Sequence, residues 1–343
     1  MSGLKKKEIE MALNHLESCK RPIFFFDDDA DGLCSFLLLY RKIREGKGVI
    51  VKSRPLIDEK FIEKVENYDA DKVFVLDIAT MKQEFVDAVK RPVIWIDHHG
   101  PMDIDNVDYF NPRKHVKDIA YSTSNLCFDI VQQDIWIAMC GSVADWTIPH
   151  FKDAFCDKYP DLLDRNITDP AEALYNSPLG KLIRILGFNL KGTSSDAMKS
   201  VKVLTRIEEP YEILNKESPR GKFIYSNYER TDVKYQKILA NAIKSVKDDK
   251  LTIYIYSEDR MSFTSDLSNE LLYKYPEKMI IIAREKSGEM RMSIRSSKVI
   301  IPPILEKCLV GIEGYGGGHE HACGCSVKKE YFDEFIKRLR SEI

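Results

Sequence analysis

Four short apolar runs that alternate with helical segments constrain the fold of this chain more than any other feature of its sequence. Each run is apolar on both faces, which is typical of strands buried inside a parallel sheet. Helix-like segments at 61–65 and 81–89 separate some of them. This rhythm predicts an open α/β sheet with helices on its faces. The four runs are Ile23–Phe26, Val49–Val51, Val73–Leu76 and Val93–Ile96.

The pattern changes after about residue 150. From there to 245 it is mainly helical, with Asp169 and Pro170 marking a helix start and Gly187 marking a helix end. Strands then return, and an amphipathic helix closes the chain. The three predicted strands of this last part are Leu251–Tyr256, Met279–Ala283 and Met290–Arg295.

The length of 343 residues exceeds that of a usual single domain, which holds roughly 100 to 200 residues. We therefore predict an α/β protein with two lobes. The first is a parallel-sheet domain over residues 1–190. A helical connector over 191–245 joins it to a smaller C-terminal α/β domain over 246–343.

Charge and hydropathy limit the classes of partner. Lysine and arginine total 52 against 54 aspartate and glutamate residues, a net charge of −2, so the chain as a whole does not attract polyanions. Any phosphate binding must be local. No apolar run approaches the ~18 residues that a membrane-spanning helix needs, which predicts a cytoplasmic protein without a membrane partner.

Acidic and histidine residues follow the predicted strands at the point where each strand ends. Asp27, Asp29 and Asp31 follow the first strand, Asp77 follows the third, and Asp97–His99 follows the fourth. Because the carboxyl ends of parallel strands meet at one edge of a sheet, we expect these side chains to converge. If the extended conformation persists after Asp27, the three alternate aspartates share one side and repel one another unless a cation lies between them.

Each of these motifs also has a purely structural interpretation. An acidic turn can cap a helix, adjacent histidines can be structural, and a lone aspartate such as Asp77 or Asp145 is more often a cap than a ligand. Four such sites in strand order favour a metal centre over separate structural roles. Mixed oxygen and nitrogen donors suit manganese better than calcium.

Taken together, these blocks resemble the DHH phosphoesterase superfamily, and in particular its compact, archaeal-type RecJ-like nucleases. The matching blocks are Asp-x-Asp-x-Asp-Gly at 27–32, Asp77, the Asp-His-His triplet at 97–99, and the pair Ala144 and Asp145. A fifth block at 316–324 resembles the signature of the DHH-associated C-terminal substrate-binding domain. An aspartate-led first block favours the nucleases over the inorganic pyrophosphatases.

The resemblance implies a catalytic site with two divalent metal ions, Mn²⁺ by preference and Mg²⁺ as the alternative. Asp77 bridges the two ions, and His99 faces the substrate phosphate. Many relatives have a histidine in or near the place of Asp27, so this chain departs from the family there. The implied ligands are Asp27, Asp29 and Asp77 for the first ion, and Asp31, Asp77, His98 and Asp145 for the second.

The C-terminal lobe is expected to bind phosphate. Alternation along the strand at 290–295 places its polar residues on one face and its apolar residues on the other. The glycine run that follows can bring backbone N–H groups close to a phosphate. The alternative is an exposed sheet face whose arginines are only solvated. The predicted substrate-binding residues are Arg291, Ser293, Arg295, Gly316, Gly317, Gly318 and His319.

These features lead to one main functional hypothesis. It is a manganese-dependent, single-strand-specific exonuclease that releases mononucleotides in DNA repair or replication. The alternatives are an oligoribonuclease (nanoRNase) or cyclic-dinucleotide phosphodiesterase, a pyrophosphatase, and an inactive scaffold, which the complete set of acidic residues disfavours. The implied partners are single-stranded DNA or RNA and a helicase or other replication or repair factor.

Overall fold

The computed structural model describes residues 3–52, 56–116, 120–257 and 261–343. The chain forms two compact units, Met1–Tyr228 and Glu229–Ile343. Within the described ranges, we find no helix with the length and apolar character that crossing a bilayer would require.

A five-stranded parallel sheet forms the centre of the first unit, and a short ladder of two strands accompanies it. The strands are β1 (Ile23–Asp27), β2 (Lys47–Val51), β3 (Leu56–Ile57), β4 (Val73–Leu76), β5 (Thr80–Met81), β6 (Val93–Ile96) and β7 (Val107–Phe110). The order across the large sheet is β2-β1-β4-β6-β7, and β3 pairs with β5. Every pair is parallel, which confirms the predicted α/β architecture.

Twelve α-helices begin within the described part of the first unit. They are α1 (Lys6–Glu17), α2 (Ala30–Ile43), α3 (Ile62–Tyr68), α4 (Gln83–Val89), α5 (Thr123–Val131), α6 (Ile135–Ala144), α7 (Lys152–Lys158), α8 (Pro170–Asn176), α9 (Pro178–Phe188), α10 (Ser194–Leu204), α11 (Pro210–Leu214) and α12 (Pro219–Ser245). The last of these runs across the boundary into the second unit.

Aromatic packing on both faces of β1 explains why this strand is apolar throughout. Phe24, Phe25 and Phe26 are fully buried. Phe26 stacks on Phe36 of α2 at a ring distance of 4.7 Å, whereas Phe25 belongs to the core on the opposite face, where α3 and α4 pack. Helices on both faces leave only the ends of the strand for polar residues.

Two helix boundaries test the predictions in the helical region. Asp169 accepts a hydrogen bond from the N–H of Ala171 at the start of α8, which confirms the predicted start. The prediction at Gly187 is wrong by one residue, because α9 continues to Phe188. Asn189, the residue that follows the helix, has a right-handed backbone, so the chain needs no glycine to end the helix.

The second unit contains a mixed sheet with helices. Its elements are β8 (Leu251–Tyr256), α13 (Thr264–Lys274), β9 (Met279–Lys286), β10 (Glu289–Ser296), α14 (Ile301–Leu309), β11 (Gly314–His319), β12 (Ala322–Lys328) and α15 (Phe332–Ser341). The order is β11-β12-β10-β9-β8, with only β8 and β9 parallel. Met290, Met292 and Ile294 of β10 lie in the buried core, as alternation predicts.

The glycine run forms a strand. Gly316–Gly318 lie inside β11, which pairs with β12, and the turn falls at Glu320 and His321. Cys323 and Cys325 of β12 are buried in the core, which fixes the position of β12. β11 pairs with this strand. Strand pairing therefore overrides the low strand propensity of glycine.

Candidate metal centre and phosphate-binding face

The first acidic block spans the end of a strand, a turn and the start of a helix. Asp27 ends β1, Asp29 caps α2 by accepting the N–H of Gly32 at 2.9 Å, and Asp31 lies in the first turn of α2. The strand ends at Asp27, so the condition under which the three alternate aspartates would share one side of a strand is not met. Gly32 makes the turn possible, since a Cβ at this position would lie 2.7 Å from the backbone N and O of Asp27.

Asp31 is held by the start of another helix. Its carboxylate is 1% exposed and accepts the N–H groups of Thr123 and Ser124 of α5 at 2.7 and 2.9 Å. Burial and the negative charge of Asp29 raise the pKa of Asp31 to about 7, although these N–H groups act in the opposite direction. Nothing in the sequence pairs α5 with Asp31, so Thr123 and Ser124 were not predicted.

Asp77 follows β4 directly and is buried. Its backbone has a φ of 59°, in the left-handed region that few residues other than glycine, asparagine and aspartate adopt. The hydroxyl of Thr123 donates to its Oδ1 at 2.9 Å. Burial, followed by the charges of Asp31 and Asp29, raises the pKa of Asp77 well above its usual value.

His98 lies between two carboxylates. Its Nε2 is 3.3 Å from Oδ1 of Asp77, and its Nδ1 is 3.5 Å from Oδ2 of Asp145, which caps the end of α6. Burial and the charge of Asp31 raise the pKa of Asp145, whereas the charge of Arg113 lowers it.

A buried network fixes His99. Asp97 is fully buried and accepts both the backbone N–H of His99, at 3.0 Å, and its ring Nδ1, at 2.7 Å. Asn111 donates to the same carboxylate and to the carbonyl of His99. Burial lowers the pKa of His99, but the hydrogen bond and charge of Asp97 outweigh it, and the pKa rises. Asp97 was expected at this edge of the sheet but not as the partner of His99, and Asn111, which follows β7, had no predicted role.

The structure brings the predicted ligands into overlapping clusters whose ligand atoms lie within 4.8 Å of one another. Asp77 and His98 each belong to two clusters. Burial and mutual repulsion raise the pKa values of several of these carboxylates, so the arrangement costs free energy unless a cation compensates it. Carboxylate and imidazole donors fit manganese or magnesium. The clusters are Asp27, Asp29 and Asp77; Asp31, His98 and Asp145; and Asp77, His98 and His99.

The predicted phosphate-binding residues lie mostly on one face of the second sheet. Ser293, Gly324 and Gly317 stand opposite one another on β10, β12 and β11, and such residues share a face. A Cβ at Gly317 or Gly324 would meet nothing within 4 Å, so the backbone of these two residues is accessible from this face. We call this pair the glycine floor. The rows on either side are Arg291, Ser326 and Tyr315, and Arg295, Ala322 and His319.

Gly316 and Gly318 differ from the glycine floor. A Cβ at Gly316 would lie 3.3 Å from Sγ of Cys325, and one at Gly318 would lie 2.9 Å from Cα of Cys323. These positions alternate with Gly317 and therefore face the core side of the sheet. The three glycines predicted to bind substrate are thus divided between the two faces of the sheet.

Both arginines of this face have partners within the unit. Arg291 forms an ion pair with Glu289 at 3.2 Å. Arg295 donates to Oδ1 of Asn269 at 2.6 Å and to Oγ of Ser265 at 3.0 Å, both on α13. The two guanidinium groups are therefore held in place on the face, which the sequence pattern did not indicate.

Comparison with known proteins supports this description. The model of the DHH family, N-terminal domain, matches residues 23–148, and the DHHA1 domain model matches residues 261–343. No curated protein matches the sequence.

Among solved structures, RecJ from Thermus thermophilus in complex with Mn²⁺ has a TM-score of 0.70 at 14% identity and covers 98% of this chain. This chain spans only 54% of that protein. An exonuclease RecJ bound to manganese has a TM-score of 0.60 at 15% identity, with 100% and 96% of the two chains covered. A DHH domain described as part of a ribosomal protein family has a TM-score of 0.69 at 16% identity, with 100% and 93% covered.

At these identities the structural likeness shows a shared fold, and the family assignment rests on the two domain matches. The metal clusters lie within the first match, and the glycine floor lies within the second. The two matches together cover more than half of the chain, which therefore belongs to the DHH phosphoesterase family and carries a DHHA1 domain, with the fold of the RecJ structures.

Proposed function

We propose that this chain is a metal-dependent phosphodiesterase that removes mononucleotides from an end of single-stranded nucleic acid, in DNA repair or replication. The observation that carries the proposal is the convergence of five carboxylates, of which Asp31 and Asp77 are buried, with His98 at the carboxyl edge of the parallel sheet. RecJ exonuclease structures bound to manganese share this fold, which supports a nuclease over other hydrolases.

The proposed metal ligands follow from the clusters. Asp27, Asp29 and Asp77 would hold one divalent ion, and Asp31, His98 and Asp145 would hold a second together with Asp77. Two such ions, when bound, activate a water molecule and stabilise the charge of the attacking and leaving oxygens. Imidazole among the ligands favours Mn²⁺ over Mg²⁺.

Other residues of the chain position this centre. Thr123 fixes Asp77 through its hydroxyl and Asp31 through its N–H, so one residue orients ligands from both proposed ion sites. Asp97 orients the His99 ring and favours its positive form. We propose that His99 stabilises negative charge on the substrate phosphate. No side-chain nucleophile is required.

The second unit contains the residues that we propose bind the substrate. Its glycine floor lets a phosphodiester backbone approach the sheet closely, while Arg291 and Arg295 flank the floor with positive charge. Tyr315 on the same face is 50% exposed and offers a ring on which a base can stack. A surface with stacking and phosphate contacts fits a nucleic acid strand better than pyrophosphate.

A cleavage assay with matched substrates tests the proposal. Purified protein and Mn²⁺ are incubated with a 20-nucleotide strand labelled at either end, its blunt duplex, a circular single strand, a dinucleotide, a cyclic dinucleotide and pyrophosphate. We expect stepwise release of mononucleotides from the linear strand, with the circle and the blunt duplex resistant. Asp77→Asn serves as the inactive control.

Three results would contradict the exonuclease proposal. Cutting of the circle would indicate an endonuclease. Turnover confined to dinucleotides or cyclic dinucleotides would favour the oligoribonuclease or cyclic-dinucleotide alternative. Release of phosphate from pyrophosphate alone would favour a pyrophosphatase. The cytoplasmic location and the helicase or repair partner stay predictions.

A further inference from the structure

A groove of about 840 Å³ lies in the first unit beside the edge strand β2. This volume is within the range of about 300 to 1,000 Å³ that is typical of ligand sites. Residues from α2, β2, α3 and α10 line it. Its apolar and aromatic lining includes Phe36, Tyr40, Phe61, Tyr68, Met198 and Val201.

The charges of this groove all have one sign among its described lining residues. The charged residues are Lys47, Lys52, Lys64 and Lys202, with no aspartate or glutamate. The chain as a whole carries a net charge of −2, so the groove departs from the protein average. Lys47, Lys64 and Lys202 are exposed. We call this region the lysine groove, and its local field attracts anions.

The start of α10 adds to this field. Ser194 and Ser195, the first two residues of the eleven-residue α10, line the lysine groove. The N–H groups at the start of a helix carry a partial positive charge and bind phosphate readily. Aromatic rings beside positive groups are typical of surfaces that bind single-stranded nucleic acid.

Lys52 links the lysine groove to the acidic block. Its Nζ lies 3.1 Å from Oδ1 of Asp28, which stands between Asp27 and Asp29. The same Nζ donates to the carbonyl of Leu190 at 2.7 Å, in the segment that leads into α10. Lys52 therefore joins the groove to a residue between two proposed metal ligands and to the segment before α10.

We infer that the lysine groove binds the nucleotides next to the linkage that is cut. Phosphates contact Lys47, Lys64, Lys202 and the start of α10, and bases pack on the aromatic lining. This inference rests on the proposed function. An acidic peptide added to the edge of β2 is the competing occupant, but α10 already packs against that strand.

Charge reversal tests the inference without altering buried residues. Lys64→Glu combined with Lys202→Glu is compared with Lys6→Glu combined with Lys337→Glu, which makes the same change in net charge at positions outside the groove. Binding of a labelled 12-nucleotide strand is measured by fluorescence anisotropy in the Asp77→Asn background, so that the strand is not cleaved during the measurement. Both sets are also assayed for cleavage in the parent background.

We expect the groove variant to bind the strand at least tenfold more weakly than the control. The slope of log affinity against log salt should fall by about 1.4, since each phosphate contact to a single strand contributes about 0.7. In cleavage, the loss on the 12-nucleotide strand should exceed the loss on a dinucleotide by at least fivefold. Tyr68→Ala should weaken binding of the normal strand more than binding of an abasic strand.

Equal binding by the groove variant and the control would overturn the inference. So would equal losses on the long and short substrates, or tight binding of a polyglutamate peptide that the strand does not displace. Failure of the proposed function gives a different result, because the parent protein would then cleave no nucleic acid, whereas the anisotropy comparison still reports whether the groove holds a strand.

Discussion

Replacing Asp77 with asparagine should stabilise the first unit when no divalent metal is present. Asp77 is buried among other carboxylates, and its pKa is raised by burial and by the charges of Asp31 and Asp29. Asparagine has the same shape, tolerates the left-handed backbone at this position, and still accepts the hydroxyl of Thr123. The substitution therefore removes the charge and keeps the local geometry.

The size of the effect has an upper limit. A carboxyl group with an ordinary pKa near 3.9 costs about 1.4 kcal/mol for each pH unit over which the fold keeps it neutral, which gives at most about 4 kcal/mol at pH 7. A change of 1 kcal/mol shifts the melting temperature by about 2–4 °C in a unit of roughly this size. We therefore expect a rise of several degrees in the metal-free protein.

Calorimetry with and without Mn²⁺ measures the melting temperature of the metal-free protein and the stabilisation that the ion provides. At about 100 times the dissociation constant, Mn²⁺ should stabilise the parent protein by about 2.7 kcal/mol. The Asp77→Asn protein should lose most of this gain, because Asp77 belongs to two of the ligand clusters. The control is Asp153→Asn, at an exposed position on α7. A lower metal-free melting temperature together with an unchanged response to Mn²⁺ would refute the reasoning.

Three further substitutions test separate parts of the structure. Gly32→Ala should abolish the Mn²⁺-induced thermal shift and the cleavage activity, because its Cβ would collide with the backbone of Asp27, whereas Gly187→Ala meets nothing and should leave both unchanged. Asp97→Asn should lower kcat at saturating Mn²⁺ by more than tenfold, about 1.4 kcal/mol of barrier, because His99 loses a charged partner. Gly324→Val should weaken strand binding in an anisotropy titration and leave the stability of the second unit within about 1 kcal/mol, since its side chain enters open space.

Those parts of the fold that depend on local pattern could be predicted from the sequence. Burial on both faces makes β1, β4 and β6 continuously apolar, and polar residues become tolerable only where these strands end. For this reason the positions of Asp77 and of the triplet at 97–99 could be predicted from the sequence. The two faces of β10 could be predicted from alternation, because one of them belongs to the apolar core and the other is polar.

Features that depend on how distant segments pack could not be predicted in this way. The contact between Asp31 and the start of α5 joins residues 92 positions apart, and no periodicity indicates it. The strand conformation of Gly316–Gly318 comes from its pairing with β12 and not from glycine itself. Likewise, the partners of Arg295 on α13 become visible only when the helix lies on the sheet.

The contact between Asp31 and α5 connects metal binding to the rigidity of three helices. α5 packs against α2, which carries Asp31, and against α6, whose C-cap residue is Asp145. An ion held by Asp31 and Asp145 would therefore link α2 to α6, and both of these helices pack against α5. Hydrogen–deuterium exchange should record this as slower exchange along α5 and α6 after Mn²⁺ is added, at amides that never touch the ion.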